Sequence, residues 1–224
     1  MICESNFMTQ IKAIIWDLDN TLYRFSHLFE DACNHIAGRV VRSLGLDMGD
    51  DEAKALAAKS FTTHGYSMRV FLEEYGLCRD AMHHEFHKHL DEKILERSLA
   101  LVDLFERSEL QHLIVTHGSR HWAERVLDHI ELRRFFPDER ILGLEDYDFR
   151  KKDESTFVFE RAMEMLNCQA HEMIMAEDTV RNLHHPHEMG MKTVLVHHGR
   201  IPKDDLPHVH HMVNSAEEIF GLLS

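Results

Sequence analysis

The sequence predicts an α/β protein with a parallel sheet, because short apolar segments alternate with segments of helical periodicity. The apolar segments have the length and the branched side chains of buried strands. The predicted strands are Ile11–Trp16, Leu113–Val115, Met173–Met175 and Thr193–Val196. Ligands of such sheets bind beyond the carboxyl ends of the strands, where the first three are followed by the polar segments DLDNT, THGS and AEDT.

Helical periodicity fills the intervals between the later strands. Apolar residues recur at spacings of three and four in His121–His129 and in Thr156–Leu166. A strand, a helix and the next strand in alternation form parallel βαβ units, so these segments belong to one core.

Residues 26–96 depart from this alternation. They contain helical stretches such as Asp51–Lys59 and Met68–Tyr75, without a convincing strand, and are punctuated by Gly45, Gly65 and Gly76. We therefore predict a core formed by residues 1–25 and 97–224, interrupted after its first strand by a small all-helical insertion at residues 26–96.

Composition and charge restrict the function. The 224 residues carry a formal net charge of −14, which disfavours binding to nucleic acid polymers. An anionic ligand would need a local positive site. No apolar run is long enough to span a membrane, and residues 1–10 do not resemble a signal peptide, so we expect a cytoplasmic protein. The four cysteines are scattered and predict free thiols: Cys3, Cys33, Cys78 and Cys168.

The segment DLDNT after the first predicted strand carries the strongest chemical signal. Its carboxylates, Asp17 and Asp19, are two residues apart at the start of a turn. Carboxylates held close together repel one another and favour a divalent cation such as Mg²⁺. Taken alone, the pattern also fits a helix cap or a turn.

Four motifs in order resemble the haloacid dehalogenase superfamily. WDLDNTLY resembles its first motif, DxDxT, and Thr116 after LIV resembles the Ser or Thr of its second. Lys151 in FRKKDESTF resembles the lysine of the third motif, and Glu177–Asn182 resembles a DDSxxN form of the fourth. The segment MGMKTVLV then resembles the strand that follows, so the likeness covers the predicted core from Ile11 to Val196.

The resemblance implies a Rossmann-like core with helices on both faces of the sheet and a C1-type helical cap. It implies a phosphatase in which Asp17 attacks phosphorus and Asp19 acts as general acid and base. Mg²⁺ would be held by Asp17, by Asp19 through its backbone carbonyl and by Asp178. Thr116 and Lys151 would bind phosphoryl oxygens. An acid at Asp19 favours phosphoryl transfer, since the dehalogenases of this superfamily lack one there.

Within the superfamily, LDNTLY and THGSRHWAERVLDHIEL are most similar to the pyrimidine 5′-nucleotidase-like branch. The resemblance implies a small-molecule phosphate ester as substrate, with pyrimidine nucleoside 5′-monophosphates favoured and sugar phosphates as the alternative. It offers His117 and Gly118 in the core and Ser67 and Arg69 in the insertion as substrate contacts. The sequence does not specify an oligomeric state.

Three positions depart from the family pattern or have two interpretations. Lys152 stands where the third motif usually has proline; we interpret it as a solvated surface lysine, with the alternative that it is the active one. Glu177 is interpreted either as a carboxylate that reaches the metal through water or as a helix-start acid. Asn182 is expected to hydrogen bond within the loop and position it.

Twenty histidines are the unusual feature of the composition. His83 and His87 have the i, i+4 spacing of a transition-metal pair on a helix. The histidines at 184, 185 and 187, at 197 and 198, and at 208, 210 and 211 form further clusters. Polar surface residues are the simpler interpretation. Two functions outside enzymes stay open: a non-catalytic binder of phosphorylated ligands, and a histidine-based metal-binding protein.

Overall fold

The computed structural model describes residues 11–64 and 66–223. The predictions made for Met1–Gln10, including the free thiol of Cys3, and for the break at Gly65 lie outside these residues. Contacts group the chain into two compact units. One comprises Met1–Arg24 and Glu96–Ser224, and the other comprises Phe25–Leu95.

Six strands form a single parallel sheet in the first unit. They are β1 (Ala13–Trp16), β2 (Gln111–Val115), β3 (Ile141–Leu142), β4 (Met173–Glu177), β5 (Lys192–Val196) and β6 (His211–Val213). Their order across the sheet is β3-β2-β1-β4-β5-β6, with β1 at an inner position between β2 and β4. The predicted α/β class is confirmed. The short β3 and β6 were not predicted, because two or three residues give no periodicity.

Ten α-helices complete the described part of the chain. The second unit contains α1 (His27–His35), α2 (Ala37–Ser43), α3 (Asp50–His64), α4 (Arg69–Glu73) and α5 (Arg79–His89). The first contains α6 (Leu99–Arg107), α7 (Arg120–His129), α8 (Phe157–Leu166), α9 (His184–Glu188) and α10 (Ala216–Gly221). Short 3₁₀ turns occupy Glu92–Ile94, Arg133–Phe135, Asp138–Arg140, Leu144–Tyr147, Ala170–Glu172 and Val180–Leu183. No helix among the described residues is long and apolar enough to cross a membrane.

The sheet is buried on both faces, as expected for parallel strands with few polar residues. All four residues of β1 are buried. Ala13 and Ile15 face a core completed by apolar residues of α8, whereas Trp16 points to the opposite face and contacts Phe105 of α6 and Phe220 of α10. Helices therefore cover both faces.

The second unit is entirely helical in its described residues. The side chain of Ser26 accepts a hydrogen bond from Phe29 N at 3.3 Å and caps α1. Helix α2 packs against α3 and α5, and α3 also contacts α1 and α4. A Cβ atom at Gly38 of α2 would collide with Asp50 at the start of α3, so the close approach of these two helices requires glycine.

Candidate active site

Three neighbouring strands bring the polar segments together, because their carboxyl ends lie at one edge of the sheet. Asp17 follows β1 and extends the ladder to β4, with its N–H donating to Ala176 O at 2.9 Å. Thr116 follows β2, and Glu177 ends β4. All three side chains are buried. Motifs that are far apart in the sequence thus lie in one cluster at the middle of the sheet.

The chain reverses directly after Asp17. The N–H groups of Thr21 and Leu22 donate to Leu18 O at 3.2 and 3.1 Å, and Asn20 adopts a positive φ of 60°. Asparagine tolerates this left-handed conformation better than most residues. The turn returns Thr21 to the carboxylate that precedes it, and its hydroxyl donates to Asp17 Oδ2 at 2.9 Å.

The lysine that lies in this cluster is Lys152, and the expected placement of Lys151 there is wrong. Lys152 Nζ lies 2.6 Å from Asp17 Oδ1 and 2.5 Å from Glu177 Oε2, and its side chain is fully buried. Lys151 has a half-exposed side chain and pairs with Glu154 at 3.2 Å. The interpretation of Lys152 as a solvated surface residue is therefore wrong too.

Hydrogen bonds from the second strand fix the position of Lys152. Its backbone N–H donates to His117 Nε2 at 3.0 Å, and its Nζ donates to Val115 O at 3.2 Å. Upstream, Asp148 and Phe149 both have positive φ, which changes the direction of the chain before the two lysines. His117, predicted to touch substrate, is thus tied to the segment that carries the lysine.

Two buried carboxylates, Asp17 and Glu177, contact this one ammonium group, and the half-buried carboxylate of Asp178 lies close to both of them. Burial, followed by the charge of Glu177, raises the pKa of Asp17 to about 7, although Lys152 opposes the shift. Burial also raises the pKa of Glu177 to about 7 and, together with the charge of Asp17, that of Asp178 to about 6. Burial alone would lower the pKa of Lys152, but Asp17 and Glu177 raise it. The cluster holds a surplus of negative charge.

The donor set fits a divalent cation. Oxygen atoms of Asp17, Glu177 and Asp178 all lie within 4.8 Å of one another. Asn20 Nδ2 donates to Asp178 Oδ2 at 2.7 Å and orients that carboxylate. The buried Oδ1 of Asn182 has no hydrogen-bond partner among the described residues. Hard oxygen ligands with surplus negative charge are what Mg²⁺ prefers.

Glu177 is held by other groups on both oxygens. Lys152 Nζ donates to its Oε2, and Thr179 N donates to its Oε1 at 3.1 Å. It is the last residue of β4 and not the start of a helix, so the helix-start interpretation is wrong. The other interpretation, that Glu177 reaches the metal through water, stays a prediction; its contacts show that it pairs with the lysine of the cluster.

The half-buried Asp19 lies beside this cluster, and its carboxylate accepts three side-chain hydrogen bonds. Tyr23 OH and Trp122 Nε1 donate to Oδ1 at 2.5 and 2.8 Å, and Thr116 Oγ1 donates to Oδ2 at 3.3 Å. Burial raises the pKa of Asp19, while these three donors counteract the shift. Sequence reasoning missed the contact of Trp122, because an aromatic residue at helical spacing is indistinguishable from core. The hydrogen bond of Tyr23, just past the turn, was not predicted either.

The turn after β2 is closely packed around Gly118. Gly118 N donates to Thr116 Oγ1 at 2.9 Å. A Cβ atom at Gly118 would lie 3.0 Å from Trp122, 3.2 Å from Asp19 and 3.3 Å from Thr116. The close packing of this turn holds the hydroxyl of Thr116 next to the carboxylate of Asp19.

The two predicted contacts of the insertion, Ser67 and Arg69, lie in the second unit. Ser67 is buried and its hydroxyl donates to Asn34 Oδ1 at 2.9 Å. Arg69 is exposed and pairs with Glu73 at 2.6 Å.

The histidine pair of α5 differs from the expected surface residues. His83 and His87 are both buried with ring centroids 4.5 Å apart, and His87 Nδ1 is 2.7 Å from His83 O. Among the described residues, the groups of three or more side chains placed to hold a metal lie elsewhere.

Comparisons with known proteins agree with this geometry. The family model of haloacid dehalogenase-like hydrolases matches residues 14–196. No curated protein matches the chain. Similar solved structures include a dehalogenase (16% identity, TM-score 0.60, covering 96% of this chain and 98% of that one). Others are YfnB from Bacillus subtilis bound to magnesium (19%, 0.64, 96% and 100%) and CbbY from Rhodobacter sphaeroides in complex with phosphate (18%, 0.64, 93% and 96%).

At these identities the structures share the fold with this chain, and the assignment depends on the family model. That match spans most of the sequence and includes the ends of β1, β2 and β4, where the buried polar residues converge. The chain belongs to the haloacid dehalogenase-like hydrolase family.

Proposed function

We propose that this protein is a Mg²⁺-dependent phosphomonoesterase that acts through an aspartyl-phosphate. The observation that carries the proposal is the contact of Lys152 Nζ with Asp17 Oδ1 at 2.6 Å, in a buried cluster beside a second carboxyl group, Asp19. A nucleophilic carboxylate needs positive charge nearby to approach a phosphate dianion. A separate carboxyl group can supply and remove the proton.

The two half-reactions assign a task to each acid. An oxygen of Asp17 forms a bond to phosphorus while the bond from phosphorus to the ester oxygen breaks, and Asp19 gives its proton to that oxygen. Water then attacks the phosphorus of the aspartyl-phosphate, Asp19 accepts a proton from it, and inorganic phosphate is released. The raised pKa of Asp19 supports its role as the acid of the first step.

The remaining residues bind and neutralise charge. Lys152 and Thr116 would contact phosphoryl oxygens, with Glu177 and His117 holding the lysine in place. Asp17, Asp178 and the backbone carbonyl of Asp19 would hold Mg²⁺. When bound, the cation supplies positive charge that offsets repulsion between the nucleophile and the phosphate. The buried Oδ1 of Asn182 has no hydrogen-bond partner among the described residues, so the positioning role expected of Asn182 stays a prediction.

Asp19 favours phosphate esters over haloacids, although a dehalogenase is among the similar structures. A halide leaves without a proton, so such a reaction has no use for an acid at this position. Three donors hold the carboxylate of Asp19, which indicates a positioned functional group. Phosphoryl transfer is the reaction that uses it.

For the substrate we propose a pyrimidine nucleoside 5′-monophosphate, on the resemblance of the first and second motifs, with sugar phosphates as the second candidate. The helical unit, residues 25–95, would act as a cap that excludes water and selects the leaving group. Arg69 is exposed and available to a ligand, whereas the hydroxyl of Ser67 is already bonded to Asn34.

The testing experiment is phosphate release with Mg²⁺ from UMP, CMP, AMP, GMP and glucose phosphates, with and without a chelator. We expect chelator-sensitive release that is fastest from UMP and CMP and absent in Asp17→Asn. Broad release lost in the variant would keep the phosphatase and contradict the nucleotide preference. No release from any ester, with phosphate still bound, would favour the non-catalytic binder.

The substrate contact proposed for Arg69 has its own test. Arg69→Ala should raise KM for UMP. Arg79→Ala, which changes an exposed arginine of the same unit, is the matched control and should leave KM unchanged.

A further inference from the structure

A second candidate metal centre lies on α9, the short helix after the Asp178 loop. Nδ1 of His184 and Nδ1 of His185 lie 3.3 and 3.4 Å from the same atom, Glu188 Oε2. The three ligand atoms are all within 4.8 Å of one another. We name these three residues the α9 triad.

The two nitrogen-to-oxygen distances of the α9 triad, 3.3 and 3.4 Å, are compatible with coordination of one metal ion. Two ligand atoms bound tetrahedrally to Zn²⁺ at about 2.1 Å are about 3.4 Å apart. Hydrogen bonds between nitrogen and oxygen are normally shorter, at about 2.9 Å. The buried Nδ1 of His185 makes no hydrogen bond to any described residue. An imidazole nitrogen without a hydrogen-bond partner, close to a carboxylate, is available to bind a metal ion.

A pocket borders two of the three residues of the α9 triad, His184 and His185. A pocket of about 610 Å³ adjoins the triad and is lined by Asp153, Val180, Arg181, His184, His185 and His208. Arg181 pairs with Asp153 at 3.1 Å, so the charged groups of this pocket balance each other. His208, whose ring lies 5.5 Å from that of His184, donates through Nε2 to Val180 O at 3.2 Å and adds a further imidazole to the wall.

We propose that the α9 triad binds one divalent transition-metal ion of the Zn²⁺, Ni²⁺ or Co²⁺ class, with the remaining position facing the pocket. Two imidazoles and one carboxylate select this class, whereas the all-oxygen cluster at Asp17 selects Mg²⁺. The site is separate from the proposed phosphatase chemistry, and the net charge of −14 favours cations in general.

The test is calorimetric titration of the tag-free chain with Zn²⁺ in excess Mg²⁺, which fills the carboxylate cluster. We expect one Zn²⁺ per chain, bound at least about tenfold more weakly by His184→Gln/His185→Gln and by Glu188→Gln. The matched control is His121→Gln/His171→Gln, which removes two exposed histidines of the same unit and should leave the affinity unchanged.

Imidazole nitrogen NMR locates the ion independently of affinity. Zn²⁺ should shift the Nδ1 resonances of His184 and His185 in the wild type. Equal Zn²⁺ affinity in the triad variants, or shifts confined to other histidines such as the buried pair His83 and His87, would overturn the proposal. Both measurements report binding and not turnover, so their failure is distinguishable from failure of the proposed phosphatase function.

Discussion

Two buried polar regions begin at consecutive residues of the first strand and differ in charge. Trp16 points to the face covered by α6 and α10, where its Nε1 donates to His112 Nδ1 at 3.2 Å. Asp17 follows at the strand end and meets Lys152 and Glu177. We call these the aromatic region and the acidic region.

Burial acts on both regions in the same physical sense, against the charged form of each group. It lowers the pKa of His112 to about 4 and raises that of Asp17 to about 7. The ring of His112 has both nitrogens in hydrogen bonds, with Ser108 Oγ 3.0 Å from Nε2. The polar groups of the aromatic region therefore find their hydrogen-bond partners within the protein while His112 is neutral. The acidic region retains surplus negative charge, which favours a cation. In the proposed function that cation, together with Lys152, would offset the charge of an anionic substrate.

The largest expected effect is on the nucleophile. Asp17→Asn should lower kcat for phosphate release by about 10⁴-fold, because the amide cannot form the acyl phosphate. The fold should survive, since Lys152 keeps Glu177 as its partner. Steady-state kinetics and urea unfolding measure the two quantities. Turnover within tenfold of the wild type would exclude Asp17 as the nucleophile.

The two adjacent lysines give the next largest contrast. Lys152→Met leaves Asp17 and Glu177 buried without their counter-ion, so the free energy of unfolding should fall by about 3–5 kcal/mol and kcat by about 100-fold. Lys151→Met removes only an exposed pair with Glu154, and the expected change is under about 1 kcal/mol. Comparable losses in the two variants would contradict the assignment of Lys152 to the site.

Lys151 and Lys152 also show what could not be predicted from the sequence. Strand ends and the motifs beginning at Asp17, Thr116 and Glu177 follow from apolar runs that stop at polar residues, so the fold class and most of the cluster were predictable. Which of two neighbouring lysines points inward depends on loop geometry, here on the positive φ values at 148 and 149. Local sequence does not encode that direction.

Contacts between residues far apart in the sequence could not be predicted either. Trp122 lies on α7, and its contact with Asp19 spans 103 residues of sequence. His112 pairs with Trp16 across the 96 residues that include the helical unit. Periodicity identifies such residues as buried, but only the order of strands in the sheet decides which of them meet.

A third prediction probes the aromatic region through pH. The folded-state pKa of His112 lies near 4, below the ordinary value of 6.5, so the unfolded chain binds more protons between these values. Stability should therefore fall as pH decreases from about 6.5 to about 4, by about 3 kcal/mol from this group. His112→Asn keeps an acceptor for Trp16 but has no titrating ring.

Urea unfolding of the wild type and of His112→Asn at several pH values tests this pH dependence of stability. The difference in free energy of unfolding between wild type and His112→Asn should shrink by about 3 kcal/mol toward pH 4. Carboxylates of the acidic region also titrate, but they are present in both chains and cancel in the difference. Parallel profiles would mean that His112 is not held neutral.

The smallest expected effect connects the two regions, because each contains one of the two tryptophans of the chain. Trp122 Nε1 donates to Asp19, and a donor to a carboxylate favours its charged form. Trp122→Phe should therefore raise the pKa of Asp19. The descending alkaline limb of kcat should move to higher pH, while kcat itself falls about tenfold through loss of orientation.

Trp16→Phe is the matched control, since it removes an indole hydrogen bond of the aromatic region and leaves Asp19 untouched. It should lower the free energy of unfolding by about 1–3 kcal/mol, through the lost packing and the unpaired His112, without moving the alkaline limb. A limb that shifts equally in both variants would mean that the indole of Trp122 acts by packing alone. A shift confined to Trp122→Phe would identify the N–H of Trp122 as the group that lowers the pKa of Asp19. Trp122 would then affect the acid, whereas Trp16 affects only the stability of the fold.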